Sequence, residues 1–190
     1  MDFIDQKIQE LEGLAAEFTA EFLSLTPAEM DVKPGEKDWS INECLDHLIR
    51  TGVSYHGTLD AVAGRKYQRN AWTRLPLLPA FWGKMILKAV SPSTTGKSKT
   101  FPVWLPTSSR YGRNLTGELA AENANVAGKL NKLKDTDLDR MIISSPAGAF
   151  VTYSLRDCII ILVEHEKRHF NQAKRVKDGL VKARASVAKA

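Results

Sequence analysis

Apolar residues recur along the chain at intervals of three and four, the spacing of helices that bury one side. Ile4, Ile8, Leu11, Ala15, Phe18 and Phe22 form such a seam and predict a first helix. Thr26-Pro27 and Lys33-Pro34-Gly35 then interrupt the pattern. A second helix is predicted from Ser40 to about Gly64, with Ile41, Leu45, Leu48, Tyr55, Leu59 and Val62 on one side. Ser40-Ile41-Asn42-Glu43 marks its start as a capping box, in which hydroxyl and carboxylate each satisfy an orphan N–H. A third helix is expected from about Ser108 to Leu133, through Leu115, Leu119, Val126, Leu130 and Leu133. Ser144-Ser145-Pro146-Ala147-Gly148 reads as a turn, and Ser154-Leu155-Arg156-Asp157 opens a last long helix.

Residues 65–107 differ in character. Pro76, Pro79, Pro92, Pro102 and Pro106 break them up, Trp72, Phe81, Trp82 and Trp104 enrich them, and only 81–90 reads helical. The expected fold is all-α: an antiparallel four-helix bundle with one long crossover connection containing a short extra helix. Such bundles build sites between facing helices. The aromatic connection has two roles open to it, roofing a pocket or packing a homodimer.

Composition sets limits. The chain has 190 residues, 43% hydrophobic and 26% charged, and is expected to form a single domain over 1–190. Cys44 and Cys158 lie in helical apolar patterns and form no CxxC pair, which excludes a disulfide scaffold. Cys158 is expected in the core. Met1-Asp2-Phe3-Ile4-Asp5 is acidic where a signal peptide needs basic residues. Leu75–Val90 is too short to span a bilayer and carries two prolines and two lysines. The expectation is a cytoplasmic protein with no membrane partner. The net charge of +5 sits at one end: eight basic and two acidic residues follow from Glu166 onward. A basic helix end suits its own dipole, and no aromatic follows Phe170 to stack on bases, so no nucleic-acid partner is expected.

Two of the four histidines stand at His165 and His169. Four residues apart on a helix, their rings share a face and make a bidentate metal clamp. Both fall on the inward side of the last helix, where unpaired imidazoles are costly; the alternative is a pair of satisfied core histidines. His165-Glu166-Lys167-Arg168-His169 also fits the zinc-protease string HExxH, but Gln172 and Arg175 stand where the extended string needs glycine and histidine. A third ligand is better sought on the second helix, where His47 flanks the apolar stripe beside Thr51, Ser54 and Thr58. That hydroxyl row suits a polar pocket wall or an ordinary helix flank. His56 lies on the opposite side from His47, as a packing or surface histidine.

Two strings together, Trp39-Ser40-Ile41-Asn42-Glu43-Cys44-Leu45-Asp46-His47-Leu48 and His165-Glu166-Lys167-Arg168-His169-Phe170-Asn171-Gln172, resemble the DinB-like (YfiT-type) superfamily. The stretch Pro146-Ala147-Gly148 with Tyr153-Ser154-Leu155-Arg156-Asp157, and the connection Lys99-Thr100-Phe101-Pro102, resemble it too. The resemblance spans residues 39–172 and implies a four-helix bundle holding a divalent metal, zinc or nickel, on His47, His165 and His169. It also implies thiol-dependent chemistry, since characterised relatives include thiol S-transferases and a maleylpyruvate isomerase.

The resulting expectation is a metal-dependent enzyme on a small-molecule substrate, a thiol S-transferase first and a hydrolase next. A low-molecular-weight thiol at the open metal position would be deprotonated; a water there would be activated for hydrolysis. Glu166 faces inward as an acceptor for a ligand imidazole, a general base, or a carboxylate paired across helices. Thr51 and Gln172 are candidate substrate contacts, Gln172 also a partner for a ligand or a cap on the pocket. The rival function is a non-catalytic metal- or ligand-binding stress-response module.

Overall fold

The computed structural model describes residues 1–94 and 99–187. Residues 95–98, inside the expected connection, and 188–190, including Lys189 of the basic end, lie outside the described residues. The α-helices are α1 (Phe3–Phe22), α2 (Pro27–Met30), α3 (Ile41–Ala63), α4 (Leu78–Val90), α5 (Thr116–Asn131) and α6 (Leu155–Val187), with single 3-10 turns at Trp72–Arg74 and Pro102–Trp104. A hairpin of β1 (Ile142–Ser145) and β2 (Gly148–Ser154) precedes α6. The fold is mostly helical, as the periodicity implies. The four long helices close a ring: α1 packs on α5, α5 on α3, α3 on α6 and α6 on α1.

The start of α3 is the predicted capping box. Ser40 Oγ accepts from Glu43 N at 3.1 Å and Glu43 Oε2 accepts from Ser40 N at 2.7 Å. Ser154 opens α6, its Oγ accepting from Asp157 N at 3.0 Å. On the basic end of α6, Lys177 pairs with Glu21 and Arg184 with Glu29, so part of that charge is balanced within the chain.

Three expected elements need correction. The third long helix starts at Thr116, not near Ser108. Residues 111–115 are held out of helix because Asp31 Oδ2 accepts from Tyr111 N and Gly112 N. Asn42 grips the same segment through Arg113 O and Leu115 N, and Gly112 takes φ 66°, a backbone suited to glycine. The helix in the connection starts at Leu78 instead of residue 81, with Pro79 in its first turn, where a missing N–H breaks no intrahelical bond. It packs on β2 and α6, burying one side of Trp82, Ile86, Leu87 and Val90 while Phe81 and Met85 stay exposed.

The turn near Pro146 is the tip of an antiparallel hairpin. Ile142 pairs with Ser154, Ile143 with Tyr153, and the register slips between Ser144 and Ser145. Its flanks are rich in β-branched and aromatic residues. They hide the alternation expected of a half-buried strand, because Val151, Thr152 and Tyr153 are buried in succession.

The core divides into two apolar clusters. One gathers Phe18, Phe22, Met30, Ile41, Leu45, Leu48, Leu115, Leu119, Ala173 and Val176. The other holds Ile4, Leu11, Tyr55, Leu59, Val126, Leu130, Tyr153, Cys158, Ile159 and Leu162. Between them along the helices stand His47, Thr51 and Gly52 of α3, Glu122 and Asn123 of α5, and Glu166 and His169 of α6, all buried. A polar layer therefore crosses the helical ring between two greasy ends.

Candidate metal centre

Buried polar groups require partners, and those of the polar layer resolve into two sets. The first is the histidine group. His47 on α3 and His165 and His169, one turn apart on α6, bring their ring tips together. His165 Nε2 lies 3.1 Å from His47 Nε2 and 3.0 Å from His169 Nε2. One ligand nitrogen from each ring falls within 4.8 Å of the others.

His47 Nδ1 lies 2.7 Å from the carbonyl of Trp104, which only accepts, so Nδ1 carries the proton. Its Nε2 is left as a bare lone pair aimed at the other two rings, the tautomer a metal ligand needs. The Trp39 ring stacks on His169 at 5.8 Å and lies 4.9 Å from His47, covering one side of the group.

The two separations measured from His165 Nε2 fit nitrogens that share a divalent cation. Two nitrogens each about 2.0–2.1 Å from one ion are about 2.9 Å apart at a right angle and about 3.3 Å apart at the tetrahedral angle. The observed 3.0 and 3.1 Å fall between these limits. Burial pushes the pKa of all three rings below the ordinary imidazole value, well below for His165 and His169, where neighbouring rings and Arg168 add to the effect. Neutral rings are the form that binds metal. His169 Nδ1 is buried with no hydrogen-bond partner among the described residues. Gln172 stands close enough to favour the protonated ring of His169 slightly, yet makes no bond of ordinary geometry to that atom.

The second set lies behind the histidines. Glu166 is buried; its Oε2 accepts from Asn123 Nδ2 at 2.8 Å, and the same amide donates to Leu11 O. Burial raises the Glu166 pKa to about 8, with Glu122 adding to the rise. Near neutral pH this carboxyl is protonated. Glu122 in turn accepts from His56 Nε2 at 2.7 Å. The pairing of His56 across to α5 has no sequence signal, because it joins residues 66 positions apart.

Gly52 makes room for this second set. A Cβ there would stand 2.5 Å from Glu122 Oε1. Gly52→Ala gains helix propensity of at most about 1 kcal/mol, but displaces Glu122 from His56, and overpacking costs about 1–3 kcal/mol. A lower urea midpoint with an unchanged m-value is the expected result. A midpoint at or above that of the wild type would mean that Glu122 moves aside freely.

Other expected site residues are placed as follows. Thr51 is buried, but its hydroxyl donates to the His47 carbonyl one turn back at 2.8 Å. Ser54 accepts from Trp104 Nε1 at 2.9 Å. Cys158 is buried in the core. Trp39, whose ring lies against His47, and Trp104, whose carbonyl meets its Nδ1, are site residues that the sequence does not single out. Trp39 immediately precedes the capping serine, a position that held the available clue. Two cavities of about 620 and 380 Å³, one between α1 and α6 and one beside the hairpin, include none of the three histidines. No described helix is long and apolar enough to cross a membrane.

Residues 10–173 match the family model described as the DinB superfamily. A Bacillus subtilis relative, the uncharacterised protein YuaE, is 26% identical over 165 residues, covering 86% of this chain and 92% of its own. No solved structure matches the chain.

Proposed function

The chain belongs to the DinB superfamily, and on that premise we propose that it is a zinc- or nickel-dependent cytoplasmic enzyme acting on small molecules. Its favoured reaction is transfer of a thiol sulfur to an electrophile, with hydrolysis next. The observation that carries this reading is the convergence of three imidazole Nε2 atoms with the His47 tautomer set by Trp104. A divalent cation held there would supply Lewis acidity, drawing a thiol toward its nucleophilic form or activating a water. Three neutral ligands leave room for such a group to approach.

The remaining roles fall to the chain itself. Trp39 shields His47 and His169 on one side. In the metal-free chain Glu166 keeps its proton to about pH 8; beside a divalent cation the carboxylate is favoured, and it is assigned the role of a general base. Asn123 holds Oε2 and leaves Oε1 to carry that proton. Gln172, beside His169, is assigned to the substrate; Thr51, bonded to its own helix, supports His47.

A second reading, a non-catalytic metal- or ligand-binding module, draws support from burial. His47 and His169 are only 3% and 6% exposed, and both cavities described above lie elsewhere. The test is reconstitution with zinc or nickel, followed by turnover of cysteine with chlorodinitrobenzene and of para-nitrophenyl acetate. Enzymatic function predicts rates at least about a hundredfold above metal-free protein, the low end of what a positioned catalytic group contributes. Glu166→Gln should retain metal and lose most of that rate. Protein that holds metal and turns over neither probe supports the binding module.

A further inference from the structure

Four side chains along one face of α3 reach the same short segment of the connection. Asp46 Oδ2 accepts from Thr107 N at 2.7 Å and from Thr107 Oγ1 at 3.1 Å. His47 Nδ1 donates to Trp104 O at 2.7 Å, and Arg50 donates to Val103 O at 2.9 Å. Ser54 Oγ accepts from Trp104 Nε1 at 2.9 Å, and the indole lies nearly parallel to the Tyr55 ring. Positions 46, 47, 50 and 54 follow one another up the helix, so Val103–Thr107 is clamped along about two turns.

The segment is otherwise weakly held. Phe101, Val103 and Leu105 are 49%, 40% and 46% exposed, so apart from the Trp104 indole, which packs half-buried against the Tyr55 cluster, little apolar burial secures it. Pro102 and Pro106 fix their own φ and supply no N–H, which stiffens the segment and leaves its anchoring to the bonds just named. Elements with few buried contacts and exposed backbone open at low free energy. Yet this element supplies the carbonyl that sets the His47 tautomer. When it is docked, Nε2 of His47 is a fixed lone pair; when it is undocked, the ring rotates and exchanges tautomers.

We propose that Phe101–Thr107 is a strap whose docking on α3 sets the metal affinity of the histidine group, and that bound metal in turn holds the strap down. This rests on the metal-binding reading of His47, His165 and His169. Reciprocity follows from linkage: if docking favours metal by some factor, metal favours docking by the same factor. Ser54 and Asp46 are positioning residues; neither belongs to the histidine group. Trp104 links both ends of the device, its carbonyl on His47 and its indole on Ser54, so the clamping side chains of α3 are the place to intervene.

The test measures zinc affinity by chelator competition in the full chain, with amide hydrogen exchange of residues 101–107 followed in parallel. Ser54→Ala and Asp46→Ala are each expected to weaken zinc about tenfold, the low end of what outer partners of metal ligands contribute. Val53→Ala, at an exposed position of the same helix, should leave affinity unchanged. Zinc should slow exchange across 101–107 in the wild type, and less so in Ser54→Ala. Unfolding of the metal-free variants shows which are folded, and one folded clamp variant suffices. Wild-type affinity in that variant, or exchange of 101–107 indifferent to zinc, overturns the strap. A wild-type chain that binds no zinc or nickel overturns the metal reading and the strap with it, an outcome separate from the first.

Discussion

Purified wild-type protein is expected to carry about one divalent metal per chain after reconstitution, and His169→Ala to carry almost none. Removing one of three converging nitrogens leaves two imidazoles, too few to hold an ion against water at ordinary concentrations. The effect should also be visible as stability. A ligand bound only by the folded state stabilises it by about 4 kcal/mol when present at a thousand times its dissociation constant. Chelation should therefore lower the unfolding temperature of the wild type and leave His169→Ala where it was. His56→Ala makes a useful control, since His56 pairs with Glu122 and not with the histidine group. Metal content that persists in His169→Ala would place the ion elsewhere. No metal in reconstituted wild type would leave two buried imidazoles and one half-buried, whose Nε2 atoms share too few protons to satisfy one another.

Glu166→Gln is expected to stabilise the metal-free protein, increasingly so as pH rises. Burial holds the Glu166 pKa near 8 in the folded chain, against an ordinary carboxyl value of 4.5. Between those values the folded state keeps a proton that the unfolded state has released. Stability therefore falls with rising pH, by about 1.4 kcal/mol per unit for this group. Glutamine keeps an acceptor for Asn123 and removes the titration, so the gap between variant and wild type should widen from about pH 5 to pH 8. The histidines act in the opposite sense. Their folded pKa values lie below the ordinary 6.5, so they weaken the fold as pH drops through that value and toward their folded values. Because both proteins share them, the difference between the two isolates Glu166. Urea unfolding in chelator across this range checks it; equal stability at every pH would mean that the folded carboxyl titrates normally.

Adjacent residues of α6 carry contrary chemistry. His165 is a neutral base offered to a cation, and Glu166, the next residue, is a neutral acid held by an amide from α5. Burial produces both, because a low-dielectric layer disfavours the charged form of either group.

Much of this was legible in the sequence. The seam from Ile4 to Phe22, the capping box at Ser40 and the inward spacing of His165 and His169 are local properties, written in residues within a few positions of each other. Helical periodicity and hydrogen bonds over three or four residues need no tertiary partner to be recognised. Helical position offered His47 as the third member, and the two strings that resemble the DinB-like superfamily joined it to the other two as a ligand. The hairpin escaped because its strands are four and seven residues long and the second buries three positions in succession, which erases the period of two. The late start of α5 escaped because the bonds that hold Tyr111 and Gly112 out of helix come from Asp31, some eighty residues away.

What only the tertiary structure decided is which buried polar group meets which. Sequence spacing determined that His47, His165, His169, Glu166 and Glu122 would occupy helices, and for several of them which side. It could not determine that Trp104 would deliver a carbonyl to His47, that Asn123 would reach Glu166, or that Gly52 would leave room for Glu122. Helical faces are set by a local repeat of 3.6 residues, whereas these pairings depend on how helices distant in sequence are brought together, and no local repeat records that.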